Sequence, residues 1–281
     1  MPPSLSFELF PPQTPEGIEK LRGTVAELSR LGPEFFSITY GAGGSTRERT
    51  LGVVDDLVAL GCDVAPHLSC VGSTRESIAE LLAHYRSKGI RRIVALRGDL
   101  PSGMAQMGEF RYANDLVSFI RETTGDWFRI EVAAYPEVHP QARSAADDLR
   151  NFVRKMDAGA DAAITQYFFN ADAYWRFVAD ARALGVKAPI VPGVMPITRF
   201  TQLARFSDAC GAEIPRWIRK RLEGFGDDTA SVRAFGLDVV AALCERLLAD
   251  GAPGIHFYTL NQAAPIAALY ERLGLPVRKA G

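Results

Sequence analysis

The sequence is poor in several features that would assign it quickly to a class. Its 281 residues contain no apolar run approaching the about 18 residues that a membrane-crossing helix needs, so none is expected to span a bilayer. The amino terminus, Met1-Pro2-Pro3-Ser4, has no basic segment followed by an apolar core, and no secretory signal is expected. Four cysteines (Cys62, Cys70, Cys210 and Cys244) are scattered and form no CxxC pair, which points to reduced, mostly buried thiols in a cytoplasmic protein. Histidine is as sparse. His67 and Cys70 form half of a possible metal site with no second half at ligand spacing, so no metal is expected and a metal hydrolase is disfavoured. Only six lysines are present, none at the end of an apolar run; a Schiff-base lyase or aldolase would want one there. The net charge of -1 gives no electrostatic footprint for nucleic acid or an anionic membrane.

What the chain does have is a rhythm. Eight short apolar runs end abruptly in Gly, Pro or charged residues, and each is followed by an amphipathic stretch: Leu5 to Phe10, Phe35 to Thr39, Val64 to Ser69, Arg92 to Leu96, Ile130 to Ala134, Ala162 to Gln166, Ile190 to Val194 and Ile255 to Tyr258. Runs this short suit parallel strands buried on both faces. Between them, Ile18, Leu21, Val25 and Leu28, then Ile78, Leu81, Leu82 and Tyr85, recur at helical spacing. Capping boxes are expected at Ser45 with Glu48 and Ser73 with Glu76. Residues 215–250 hold more helix than one unit needs, with a break at Gly224-Phe225-Gly226. The pattern predicts an α/β chain: a single (β/α)8 TIM barrel over residues 1–281, with an extra helix before the last strand. An open doubly wound sheet would want a Gly-rich turn after its first strand. Here that strand runs into Glu8-Leu9-Phe10-Pro11-Pro12, and the cluster Gly41-Ala42-Gly43-Gly44 follows the second strand without the third glycine of GxGxxG.

In such a barrel the active site gathers at the carboxyl ends of the strands. Those ends carry Glu8, Thr39, His67, Arg97 with Asp99, Tyr135, Gln166 and Gln262. Glu8 lies between large apolar residues in Ser6-Phe7-Glu8-Leu9-Phe10. A carboxyl there either keeps a proton, as a general acid must, or is structural and bonded to amides or an arginine. Arg97-Gly98-Asp99 offers two charges at a turn, as pocket groups or as a local ion pair. Tyr135-Pro136-Glu137-Val138-His139-Pro140 is stiff and could line a pocket. His67 is either a site residue or a core histidine, and His84 and His256 are expected to be structural. The pair Arg154-Lys155 is a solvated surface or a phosphate site.

Several of these segments together resemble one family. Ser6-Phe7-Glu8-x-Phe10-Pro11-Pro12, Thr39-Tyr40-Gly41-Ala42, His67-Leu68-x-Cys70, Ala95-Leu96-Arg97-Gly98-Asp99-Leu100-Pro101, Ala133 to Pro140, Lys155 to Ala160, Ile164-Thr165-Gln166 and His256 to Asn261 follow in the order of bacterial methylenetetrahydrofolate reductases. The resemblance runs from Leu5 to about Pro276 and implies a flavoprotein barrel. It implies FAD as cofactor, NADH or NADPH as co-substrate and a reduced folate as substrate. The activity implied is ping-pong hydride transfer that converts 5,10-methylenetetrahydrofolate to 5-methyltetrahydrofolate. Glu8 would be the general acid that assists opening of the five-membered ring to an iminium. Asp99 would lie between flavin and pterin, where its charge disfavours the reduced flavin anion and favours hydride donation. Flavin contacts implied are Thr39, Tyr40, Ala42, His67, Arg97, Gly98, Asp99, Ala113, Tyr135, His139 and Ala142, with Asp148, Asn151, Arg154 and Lys155 near the distal phosphate and adenosine. Asp99, Gln166, Gln202, Phe206 and Gln262 would meet the substrate.

One position departs from the family pattern: Gln262 stands where relatives usually carry an arginine, and an amide cannot pair a carboxylate as a charged fork does. Arg199 is a candidate to compensate. A folate-binding flavoprotein accessory subunit, fed electrons by a partner protein, is the competing expectation. A cytoplasmic homo-oligomer without nucleic-acid or membrane partners completes the set.

Overall fold

The computed structural model describes residues 3–40, 44–98 and 108–275. Ala42 and Asp99 therefore lie outside the described residues, as does most of the glycine cluster. The chain alternates from its start: β1 (Ser4–Leu9), α1 (Pro15–Ser29), β2 (Phe35–Ile38), α2 (Gly44–Ala59), β3 (Val64–Ser69), α3 (Arg75–Ser87), β4 (Arg92–Leu96) and α4 (Ala113–Thr124). It continues with β5 (Arg129–Ala134), α5 (Ala145–Asp157), β6 (Ala162–Thr165), α6 (Ala171–Ala183), β7 (Ile190–Val191) and β8 (Gly193–Val194). Three helices follow, α7 (Phe200–Cys210), α8 (Arg216–Phe225) and α9 (Thr229–Ala249), before β9 (Gly254–Tyr258) and α10 (Ala263–Arg272). All pairings between strands are parallel, in the order β7-β6-β5-β4-β3-β2-β1-β9-β8. This is a nearly closed barrel of the (β/α)8 type, as the rhythm predicts. Among the described residues, no helix is long and apolar enough to cross a membrane.

The expected seventh strand, Ile190 to Val194, is split in two. Pro192 has no N–H to give the ladder. Its carbonyl instead accepts from His256 N at 3.0 Å, so β7 pairs with β6 while β8 pairs with β9. The extra helical material before β9 is α8 and the start of α9, divided at Gly226, where φ is 54°. Capping differs from expectation by one residue. At α3, Thr74 accepts from Ser77 N at 3.2 Å and Ser77 Oγ accepts from Thr74 N at 3.1 Å, so the box is Thr74–Ser77, not Ser73–Glu76. Helix α2 already contains Ser45 in its first turn, past the position that the Ser45–Glu48 box requires.

Strand alternation sorts the side chains. Leu5, Phe7 and Leu9 of β1 are buried outward beneath the helices, in the main apolar cluster with Phe36, Ile38, Phe257 and Tyr270. Ser6 and Glu8 turn to the barrel interior, as do Phe35 and Ser37 of β2 and His256 and Tyr258 of β9. At the amino ends of the strands, buried Glu131 accepts from Arg92 and Arg129, and Arg92 also pairs with Glu34. Above that ionic plug, Phe35, Ala65, Val94 and Ile164 form a small apolar cluster within the barrel. The interior is thus packed from the bottom, and a cavity opens towards the carboxyl ends.

Candidate active site

At those ends lies a cavity of about 480 Å³, lined by Glu8, Thr39, His67, Tyr135, His139, Gln166 and Phe206 among the residues singled out in the sequence. They come from β1, the ends of β2, β3, β5 and β6, and helix α7. Glu8 is held by its strand with 22% of its side chain still open to the cavity. Among the described residues its carboxyl accepts no hydrogen bond and faces no arginine or lysine, and burial pushes it up from 4.5 to about 8. The structural alternative, a carboxylate tied to an arginine, is not what the barrel builds. The nearest basic group is His67, whose Nε2 lies 3.6 Å from Glu8 Oε2. That Nε2 is buried without a hydrogen-bond partner, and burial lowers the ring to about 4. Both shifts favour the uncharged form at neutral pH.

Beneath Glu8 the floor is polar and satisfied. His256 lies 2.7 Å by Nδ1 from Ser6 Oγ and 3.4 Å by Nε2 from Ser37 Oγ, and burial lowers it to about 3. Tyr258 donates its hydroxyl to the Thr165 carbonyl at 2.7 Å. Gly193 makes that approach possible: a Cβ there would sit 2.1 Å from Thr165 O and 2.6 Å from the Tyr258 ring. Gln166 Oε1 accepts from Tyr167 N at 2.9 Å, and its NH2 has no acceptor among the described residues. Val94, Leu96, Ile164, Met195 and Leu260 supply apolar wall.

The β5 side of the mouth carries the second group of expected residues. Tyr135 and His139 pack edge to face with ring centres 4.5 Å apart. Asp148 Oδ2 accepts from His139 N at 2.9 Å, and Ala142 N donates to His139 O at 2.8 Å. Lys155 is inside: its ammonium donates to the Ala133 carbonyl, and burial lowers it to about 8 while Asp148 holds it up. No carboxylate lies within ion-pair distance of it among the described residues. Its neighbour Arg154 is exposed and bonds Asn151 Oδ1 at 2.9 Å. Arg97 donates to Gln141 Oε1 at 2.5 Å and to the Gly98 carbonyl at 3.1 Å. Gly98 has φ 82°, and a Cβ there would strike Ser69 Oγ at 1.9 Å. Tyr40 is half-buried just past β2, and Ala113 opens α4.

Three expectations land elsewhere or are joined by newcomers. Gln202 is half-buried on α7, one turn before Phe206, but does not line the cavity. Gln262 lines a different cavity of about 560 Å³ between α1, α9 and α10, with Lys20 and Arg233 among its walls. The turn that carries it there has Leu260 and Asn261 both left-handed, φ 51° and 54°. Asn261 clamps it to β1, accepting from Phe10 N at 3.0 Å and donating to Phe10 O at 2.8 Å. Arg199, the candidate substitute, is exposed at the start of α7 and lines neither cavity. Tyr258, Tyr167 and Cys210 also line the cavity at the strand ends and were not among the expected site residues. Period-two alternation from His256 was the available signal for Tyr258.

A family model for methylenetetrahydrofolate reductase matches residues 2–274. The 5,10-methylenetetrahydrofolate reductase of Escherichia coli (strain K12) is 40% identical over 275 residues, covering 97% of this chain and 91% of that protein. The Arabidopsis thaliana protein named methylenetetrahydrofolate reductase (NADH) 1 is 38% identical over 286 residues, 97% of this chain and 48% of its own length. Among solved structures, a Clostridium thermocellum protein described as binding two copies of 5-methyl-5,6,7,8-tetrahydrofolic acid superposes with a TM-score of 0.68. It is 17% identical and covers 97% of this chain and 94% of its own, a likeness of fold. With its barrel, its ordered motifs and these matches, the chain belongs to the methylenetetrahydrofolate reductase family.

Proposed function

We propose that this chain, acting as one catalytic barrel, reduces 5,10-methylenetetrahydrofolate to 5-methyltetrahydrofolate. Its electrons come from NADH or NADPH through bound FAD, in a ping-pong cycle. The observation that carries the reading is Glu8: a carboxyl at a strand end, facing a cavity with room for a bicyclic ring and, among the described residues, no lysine or arginine, so that burial raises it to about 8 and favours its protonated form.

The residues present fit a flavin dinucleotide. Lys155 is a buried ammonium whose partner is a carbonyl oxygen, and a charge so placed gains most from an anion such as a phosphate. Tyr135, His139, Thr39 and the Arg97-Gly98 turn follow β5, β4 and β2 and so sit between it and Glu8 around the mouth, where apolar side chains wall the cavity. Asp99, in this reading, tunes the flavin. Bound there, the flavin supplies the hydride.

The chain's own part is proton transfer and orientation. Glu8 gives its proton to the ring nitrogen N10 of the substrate as the N10–methylene bond breaks. The bond pair stays on that nitrogen, and the methylene carbon becomes an iminium ready to accept hydride. The free NH2 of Gln166 can hold a pterin edge, and Phe206 can cover its face.

The test uses the purified protein with FAD. The expected results are a flavin absorption spectrum, NADH- or NADPH-dependent menadione reduction, and reduction of methylenetetrahydrofolate. Glu8→Gln should keep flavin reduction by the nicotinamide and lose folate reduction by about 100-fold or more. A colourless protein that refuses added FAD, or equal loss of both half-reactions in Glu8→Gln, refutes the reading. Flavin without nicotinamide turnover would instead mark an accessory subunit.

A further inference from the structure

The unexplained atom in the cavity is His67 Nε2: buried, without a hydrogen-bond partner, and 3.6 Å from Glu8 Oε2. A buried polar nitrogen left unpaired costs stability, so its place needs a reason. Two tautomers give opposite chemistry. With hydrogen on Nδ1, Nε2 would accept the Glu8 proton and point it away from substrate. With hydrogen on Nε2, the ring donates to Oε2, and the Glu8 proton belongs on Oε1, the oxygen left to the cavity.

We infer that His67 is a positioning residue for the acid: its Nε2–H faces Glu8 Oε2, confines the transferable proton to Oε1, and closes into a charge-assisted hydrogen bond when Glu8 becomes a carboxylate. The inference rests on the general-acid role proposed for Glu8. The proton balance is simple. One proton leaves Oε1 for the substrate nitrogen; His67 is neutral before and after; solvent returns a proton to Glu8 before the next turnover.

The surroundings make this donor matter. The titratable groups facing Glu8 are His67 from β3, Tyr258 and His256 from β9, Tyr135 and His139 from the segment after β5, Tyr167 after β6 and Cys210 of α7. His256 already engages Ser6 and Ser37, and Tyr258 is committed to the Thr165 carbonyl. No lysine or arginine lines the cavity among the described residues. A carboxylate formed there has His67 Nε2 as a nitrogen donor 3.6 Å away.

The test follows the protonated-carboxyl infrared band of the FAD-loaded enzyme across pH. Glu8→Gln identifies the band by removing it. Removing a donor to the charged form raises an acid's midpoint, so His67→Leu should shift the band upward by about one pH unit or more. His67→Gln, whose longer amide can still donate, should bring the midpoint back towards wild type. Should the leucine variant not fold, His67→Asn, whose amide is too short to reach Oε2, should show the same upward shift. An unmoved or lowered midpoint in His67→Leu or His67→Asn overturns the inference; lowering would mean that Nε2 accepts. Failure of the acid reading looks different: Glu8→Gln would then leave the folate half-reaction intact whatever His67 does.

Discussion

Glu8 should make the folded protein less stable as the solution becomes more alkaline, and Glu8→Gln should remove that loss. The carboxyl rises from 4.5 to about 8 on folding because burial disfavours its charged form. A raised folded value means that the folded chain binds a proton which the unfolded chain has released. The contribution of Glu8 is therefore intact below pH 4.5 and is lost as pH climbs through about 8. The full shift corresponds to about 5 kcal/mol at about 1.4 kcal/mol per unit. Glu8 keeps 22% of its side chain open to the cavity, and water entering there lowers the effect to about 2–3 kcal/mol. Glutamine is a neutral isostere at every pH. Urea unfolding followed by tryptophan fluorescence at pH 5, 7 and 9 should show the variant overtaking wild type as pH rises. In thermal unfolding at pH 9 the gap in Tm should reach about 5–10 °C for a domain of this size. A stability difference, variant minus wild type, that stays constant or falls as pH rises would refute the claim that residue 8 is a buried acid held neutral by its surroundings.

Two further outcomes follow from the same geometry. Lys155→Met should weaken FAD binding by about 10- to 100-fold without lowering the stability of the flavin-free protein, since it deletes a buried cation whose partner is a carbonyl. Equal FAD titrations, or a destabilised apoprotein, would remove Lys155 from the phosphate site. Gly193→Ala should cost about 2–3 kcal/mol in urea unfolding and displace Tyr258, because its Cβ would lie 2.1 Å from the Thr165 carbonyl. A neutral result would show that strand β8 shifts freely.

The barrel was legible because its signal is local and repeated. Each strand run and each helix face is written within a dozen residues, and seven of the eight runs appear where the apolar pattern places them, within a residue or so. The remaining run, Ile190 to Val194, shows its proline plainly, but the division of its halves between β6 and β9 depends on which neighbours close the barrel. Capping at α3 moved one residue because Thr74 and Ser77 satisfy each other better than Ser73 and Glu76 can once the helix starts at Arg75. The site was legible in part for the same reason. A carboxylate flanked by Phe7 and Leu9 announces a burial problem from the sequence, whereas Gln262 gives no warning that two left-handed residues will swing it into a neighbouring cavity.

Residue chemistry and periodicity by themselves settled that helices cover a parallel sheet, that polar groups gather where its strands end, and that residue 8 is an acid in apolar company. Only the folded chain decided that His67 stands 3.6 Å from that acid, that Lys155 turns inward while Arg154 turns out, and that Tyr258 completes the floor. Those facts hang on the register across β1, β2 and β3, on the closure of β9 against β1, and on the packing of α5. Such relations join segments far apart in the chain, and a local pattern holds no record of them.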